Sequence, residues 1–219
     1  MRERARSAED KAQRSEDLLA SAEALAIELG GVRFVTIAAV TERAGLHRTG
    51  VRRYYASKEE LLLELAERGW GQWRDAIVKA VEDRSELRPI EVATILAETI
   101  TSLSVFCDLL AHVAMRLEDD VDLERARRYK THATAAHDEL VSALTRASVM
   151  TPAQMQTLVA ATVSLTGSLW QVAHPAPTLA ALYEQEPSWA HAALDFAPRL
   201  TLILQATAVG LGQVLVAEQ

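Results

Sequence analysis

Apolar residues recur at helical spacing along nearly the whole chain. Leu18, Leu19, Ala22, Leu25, Ala26 and Leu29 form one stripe, closed by the stop signal Gly30-Gly31. Ser15 suits the N-cap, with Glu16 and Asp17 at the positive helix end, so the first helix is predicted to begin there. Thr36 caps a predicted short second helix that buries Ile37, Val40 and Ala44 and stops at Gly45. A third helix is predicted from about His47 to Tyr55. Its Val51, Tyr54 and Tyr55 are spaced i, i+3, i+4, so Val51 and Tyr55 can pack inward. Arg48 and Arg52 lie one turn apart, as do Thr49 and Arg53, which puts the basic residues on the opposite side. "SKEE" is a capping box, with Ser57 at N-cap and Glu60 at N3. The fourth helix then runs to about Glu82, with Leu62, Leu65, Ala66, Trp73 and Ile77 on one face.

Further helical patterns cover roughly 90–105, 107–118, 121–148, 152–173, 178–185 and 189–217. Thr151 and Pro152 fit N-cap and N1, and "HPAP" at 174–177 is a stop. No period-2 strand pattern of convincing length and no internal repeat occurs, so the fold class is all-α. Residues 1–14 are charged without periodicity and read as a flexible arm carrying Arg2, Arg4, Arg6, Lys11 and Arg14. It is a solvated tail or an arm that reaches a polyanion.

Charge sharpens this picture. The formal net charge is −7, which spread evenly would argue against a nucleic-acid partner. Residues 1–60, however, hold 11 Lys+Arg against 10 Asp+Glu, a net of +1, and the rest of the chain carries the remaining −8. The N-terminal part can approach phosphate; the acidic part would be held away from it. The lone Cys107 excludes an intrachain disulfide and suits a reducing compartment, the cytoplasm. The N-terminal stretch has no apolar core of a signal peptide, and no run approaches the ~18 apolar residues of a membrane span, so no membrane partner is expected.

Two short helices joined by a Gly-containing turn, the second basic outside and apolar inside, describe a helix-turn-helix. Such a second helix must be narrow enough for the major groove, donate outward to phosphates and base edges, and be locked inward to a small core. From Leu18 to about Leu62 the chain resembles the TetR family of transcriptional regulators. "LLASAEALAIELG", "FVTIAAVTERAGL", "HRTGVRRYY" and "ASKEELL" follow that family's order: a helix ending in Gly, a Val-Thr-Ile-like entry, Ala-Gly-Val/Leu, a recognition helix ending in two aromatics, and a Ser-Lys-Glu-x-Leu helix start. The resemblance implies roles by position. Thr36, Tyr54 and Lys58 would hold phosphates. His47, Arg48, Thr49, Gly50, Arg52 and Arg53 would line the groove-facing part, and Tyr55 would be core. His47 stands where the family usually has Ser, Thr49 where it often has Gly, and Arg52 where it usually has Tyr. Arg52 can read a guanine through O6 and N7 or replace a tyrosine–phosphate contact by a salt-dependent one; both readings stand.

The resemblance implies an architecture of a DNA-binding domain, residues 1–57, and a larger helical domain, 58–219, that dimerises and holds a small effector. "FCDLLAHVAMRLEDDVDLERARRYK" and "DFAPRL" look like one C-terminal subgroup of the family. Helix 152–173 carries small residues (Ala153, Ala160, Ala161, Ser164, Gly167, Ser168), and helix 189–217 is apolar nearly all round; both are expected to pair with their copies in a homodimer. Trp70, Trp73, Phe106, Met115, Tyr129, His132, Trp170 and His174 are the candidates for lining an effector pocket. Asp108 and His112 are spaced i, i+4, but no third ligand is evident, so a hydrogen-bonded pair is expected rather than a metal site; no cofactor is expected. The expected function is a ligand-responsive regulator on a pseudo-palindromic operator in double-stranded DNA, a repressor released by a small apolar effector. The alternatives are a helical interaction module whose helix-turn-helix no longer reads DNA, and an all-helical enzyme. Against the last, no HExxH, GxSxG or phosphate loop occurs, and Cys107 has no His beside it.

Overall fold

The structure, a computed structural model, describes residues 2–47, 50–192 and 195–214. Arg48 and Thr49, two of the expected groove residues, lie outside them, as does the Met115 side chain. Among the described residues the architecture is helical throughout: α1 (Arg2–Leu29), α2 (Ile37–Arg43), α3 (Lys58–Val81), α4 (Pro89–Thr101), α5 (Ser104–His112), α6 (Leu123–Ala147), α7 (Pro152–Ala173), α8 (Pro177–Gln185) and α9 (Phe196–Val214). The only pairing of β type among them is one isolated bridge between Leu87 and Ser148. None of these helices alone is long and apolar enough to cross a membrane.

Three of the four expected N-caps, Thr36, Ser57 and Thr151, act where expected. Thr36 accepts a hydrogen bond from the Ala39 N–H (3.2 Å) at the start of α2, and Thr151 from the Gln154 N–H (3.3 Å) at the start of α7. At α3, Ser57 accepts from the Glu60 N–H (3.2 Å), but Glu60 reaches back one residue further than a capping box requires, to the Ala56 N–H (2.7 Å). Gly45 ends α2 at φ +64°, a left-handed conformation that costs glycine little.

Three expectations need correction. The first helix begins at Arg2, so the segment expected as an unstructured arm prolongs α1. That segment is mostly Ala, Glu, Arg, Lys and Gln without Gly or Pro, and lengthening an existing helix incurs no nucleation cost. Ser15 is therefore no cap; its hydroxyl lies 2.8 Å from the Tyr55 hydroxyl. The third helix, expected over His47–Tyr55, is among the described residues a 3-10 turn, Val51–Arg53. Gly50 and the β-branched Val51 both weaken a longer helix here. Finally, the C-terminal pattern over 189–217 divides into a 3-10 helix, Pro187–Ala192, and α9 from Phe196. Pro198 is the reason: it has no N–H to give a helix interior and is tolerated only in a first turn.

The core lies between helices packed in pairs, α3 along α6, α4 along α9, α5 along α7 and α7 along α9. Trp73, Ile77, Ile100, Leu109, Leu144 and Leu158 are fully buried within it. α4 and α5 meet at a 92° bend, which lets one apolar stretch cover two sides of that core. Two glycines permit the closest approaches. A Cβ on Gly69 would overlap the Phe106 ring, and one on Gly167 would lie 2.9 Å from the Ala111 nitrogen of α5.

Candidate nucleic-acid interface and ligand cleft

The basic turn is held from behind. Val51 and Tyr55 are buried, and the Tyr55 hydroxyl pairs with Ser15 of α1. Burial, the main influence on that phenol, pushes its pKa far above the usual range, so it stays protonated. Gly50 donates to the His47 carbonyl (2.7 Å) and Arg53 to the Gly50 carbonyl (3.2 Å), which tightens the turn. Arg52 and Arg53 are exposed on its outer side, His47 is exposed, and Tyr54 is half-buried against the core edge. Thr36 is exposed, and its hydroxyl, while accepting from Ala39, can still donate.

Lys58 stands at the first turn of α3 and donates from Nζ to the Arg33 carbonyl (2.9 Å). This ties α3 to the segment between α1 and α2. Burial is the largest influence on its ammonium and lowers its pKa; Glu59 opposes that, and Arg116 adds to it. Its remaining N–H groups can meet an anion at the helix N-terminus. Thr36, Arg52, Arg53, Tyr54 and Lys58 thus sit on consecutive pieces of one small unit, braced by bidentate Arg43–Glu28 contacts (2.6 and 2.7 Å) between α2 and α1.

The seven described residues of the expected pocket set do not gather around one cavity. Trp70, Trp73 and Phe106 pack as a ring cluster, with Trp70–Phe106 centroids 5.5 Å apart at 71°. The Trp70 indole donates to the Tyr129 hydroxyl (3.0 Å), and the Trp73 indole donates to Thr99 Oγ1 (3.0 Å). Burial pushes the Tyr129 phenol up to about 12, so it too remains neutral. These four are packed core. His132 pairs instead with Glu67, which also accepts from Arg125 (3.0 Å). With Glu64 and Arg128 close by, the group forms an ionic seam between α3 and α6 that periodicity did not foretell.

Trp170 and His174 do border a cavity. Their rings stack at 3.8 Å and 23°, with Phe196 edge-on to Trp170 at 5.1 Å. They flank a half-open cleft of about 230 Å³, closed on its other sides by Ala26 and Ile27 at the end of α1, by Gly30-Gly31, and by the start of α5. Asp108, buried at 5% exposure, also lines it. One carboxylate oxygen accepts from the Val32 N–H (2.7 Å), the other from Gln171 Nε2 (2.7 Å) on α7. His112 Nε2 stands 3.6 Å from Oδ1, in ion-pair reach but beyond hydrogen-bond distance, so the expected hydrogen-bonded pair is at most an ionic one. Burial pushes this carboxyl's pKa up and is the largest single influence. The His112 ring and the hydrogen bonds from Val32 and Gln171 together outweigh it, so the group lies below the usual aspartate value and is charged at neutral pH. The i, i+4 spacing pointed to His112 as the partner; the bonds to Val32 and Gln171 span most of the sequence and left no mark in it.

Residues 67–214 match the family model described as tetracyclin repressor-like, C-terminal domain. No curated protein matches the chain significantly. Among solved structures, a protein from Mesorhizobium loti MAFF303099 assigned to the TetR family of transcriptional regulators shares the fold, with a TM-score of 0.50 over 93% of this chain and 97% of that one, at 12% identity. With most of its length inside the family model, and with the helical architecture that accompanies it, the chain belongs to the TetR family of transcriptional regulators.

Proposed function

We propose that the protein is a homodimeric DNA-binding repressor released from its operator by a small effector. Residues 1–57 act as the reading unit and 58–219 as the effector-binding and dimerising unit. The observation that carries this reading is the exposed pair Arg52–Arg53 on a short turn whose back is locked by Val51 and Tyr55. Exposed guanidiniums on a narrow element braced from behind can meet phosphates and base edges. Thr36, Tyr54 and Lys58 supply flanking phosphate contacts; His47 and Gly50 adjoin the turn, and Arg48 and Thr49 complete the proposed contact set.

Dimerisation is supported by two exposed stripes. Leu202, Ala206, Val209 and Gln213 recur along α9, and Ala153, Thr157, Ala160, Ser164 and Ser168 along α7. Small residues on one and aliphatic residues on the other suit close helix packing across a two-fold axis. Such a dimer would place its two turns about 34–36 Å apart, one turn of DNA.

The test is fluorescence anisotropy with duplexes from the region upstream of the protein's own gene. Binding is expected to weaken steeply with salt. The Arg52→Ala/Arg53→Ala double variant is expected to lose affinity and to reduce the log–log salt slope by about one per phosphate contact removed. Unchanged affinity in that variant would favour an interaction module over a DNA reader.

A further inference from the structure

The cleft between the end of α1 and the Trp170–His174 ring pair combines features that ordinary packing does not require. One wall is a flat stack of two rings. The lining also includes Gly30-Gly31, where no side chain stands; a Cβ on Gly31 would lie 3.3 Å from Asp108 Oδ2 and crowd that oxygen. Among the lining residues is a carboxylate with only 5% of its surface exposed. None of the described residues lining the cleft is Lys or Arg. Oδ1 accepts from Gln171 and also faces His112 Nε2 at 3.6 Å, whereas Oδ2 accepts only from the Val32 N–H and keeps a second lone pair to offer.

We infer that this cleft binds a small, flat organic cation whose N–H groups donate to Asp108 and whose apolar body lies against Trp170 and His174. An anion would face a buried negative charge at short range. A neutral apolar molecule would desolvate the carboxylate's open lone pair and return nothing. A planar amidinium or protonated aminoheterocycle satisfies both, gaining charge-assisted hydrogen bonds at one end and apolar contact with the ring pair at the other. The site deepens the regulator reading and depends on it only for its consequence at DNA. Asp108 Oδ2 also holds the Val32 N–H, immediately after α1, so a ligand drawing on that oxygen alters the link between the reading unit and the body.

The test is calorimetric titration of the full chain, without DNA, using three probes of one shape: β-naphthamidine (cation), β-naphthamide (neutral) and β-naphthoate (anion). The amidine is expected to bind roughly tenfold or more tighter than the carboxylate. Asp108→Asn is expected to erase that preference. Ile27 is exposed and borders the cleft, so Ile27→Trp fills the space without touching the carboxylate and is expected to abolish amidine binding with helix content unchanged. Ile27→Trp keeps the test decisive should Asp108→Asn fail to fold. Equal affinity for the three probes, no amidine binding at millimolar concentration, a preference that survives Asp108→Asn, or intact binding in Ile27→Trp would each overturn the site. Because no DNA is present, those results leave the regulator reading standing, and a failure of DNA binding leaves the site standing.

Discussion

Asp108 holds a charge inside the protein and spends it on two distant segments, the Val32 N–H beyond α1 and Gln171 on α7. Truncating it would leave the Val32 N–H buried without an acceptor. Asp108→Ala is therefore expected to destabilise by about 1–3 kcal/mol in urea unfolding. The pH dependence has a definite sign. Its pKa is lower folded than the ordinary 3.8, so its contribution is complete above that value and is lost as pH falls through the folded one. Wild-type melting temperature is expected to drop on acidification below about pH 4, and Asp108→Asn to flatten that drop. The residue was legible only in part. The i, i+4 spacing singled out Asp108 with His112, but spacing names only the neighbour on its own helix and says nothing of an amide on another element. Glu67 and Arg125 were hidden for the same reason, because the seam they form joins α3 to α6 across a long stretch of sequence.

Helices declared their starts more plainly than their lengths. Thr36, Ser57 and Thr151 each cap the helix that their side-chain chemistry predicts, because an N-cap is a contact over three residues and the sequence contains all of it. Lengths depend on what lies beyond the pattern. α1 extends through a stretch with no apolar stripe, and the turn at Val51–Arg53 is shorter than its periodicity suggested. Gly167 was read as one small residue of a dimer stripe, yet it faces inward, where α7 and α5 meet with no room for a methyl group. Gly167→Ala is expected to force the two backbones apart and lower stability by about 1–3 kcal/mol in chemical denaturation, as overpacking does. The same change at exposed Ser164 is expected to have an effect within about 0.5 kcal/mol in the monomer.

At the scale of the whole molecule, the charge split between the first 60 residues and the rest corresponds to a basic turn at one end and an acidic body. Assembly was less legible, since a helix apolar on many sides fits a core or an interface equally. Leu200 and Leu204 of α9 are buried core, whereas Leu202 at 61% exposure and Val209 at 42% are the residues left for the proposed interface. Leu202→Arg is expected to leave the fold intact and shift sedimentation from dimer to monomer, with a parallel loss of DNA affinity.

The link from Val32 to Asp108 also bears on how such proteins can be rebuilt. A chimera cut at Lys58 takes the amide donor with the head and leaves its acceptor in the body, along with Arg68, which reaches Glu16 of α1 at 2.5 Å. The two halves exchange as cassettes only if the recipient brings a matching acceptor on its fifth helix. Compatibility between a borrowed head and a new body is thus decided by a few side chains where α1, α3 and α5 meet.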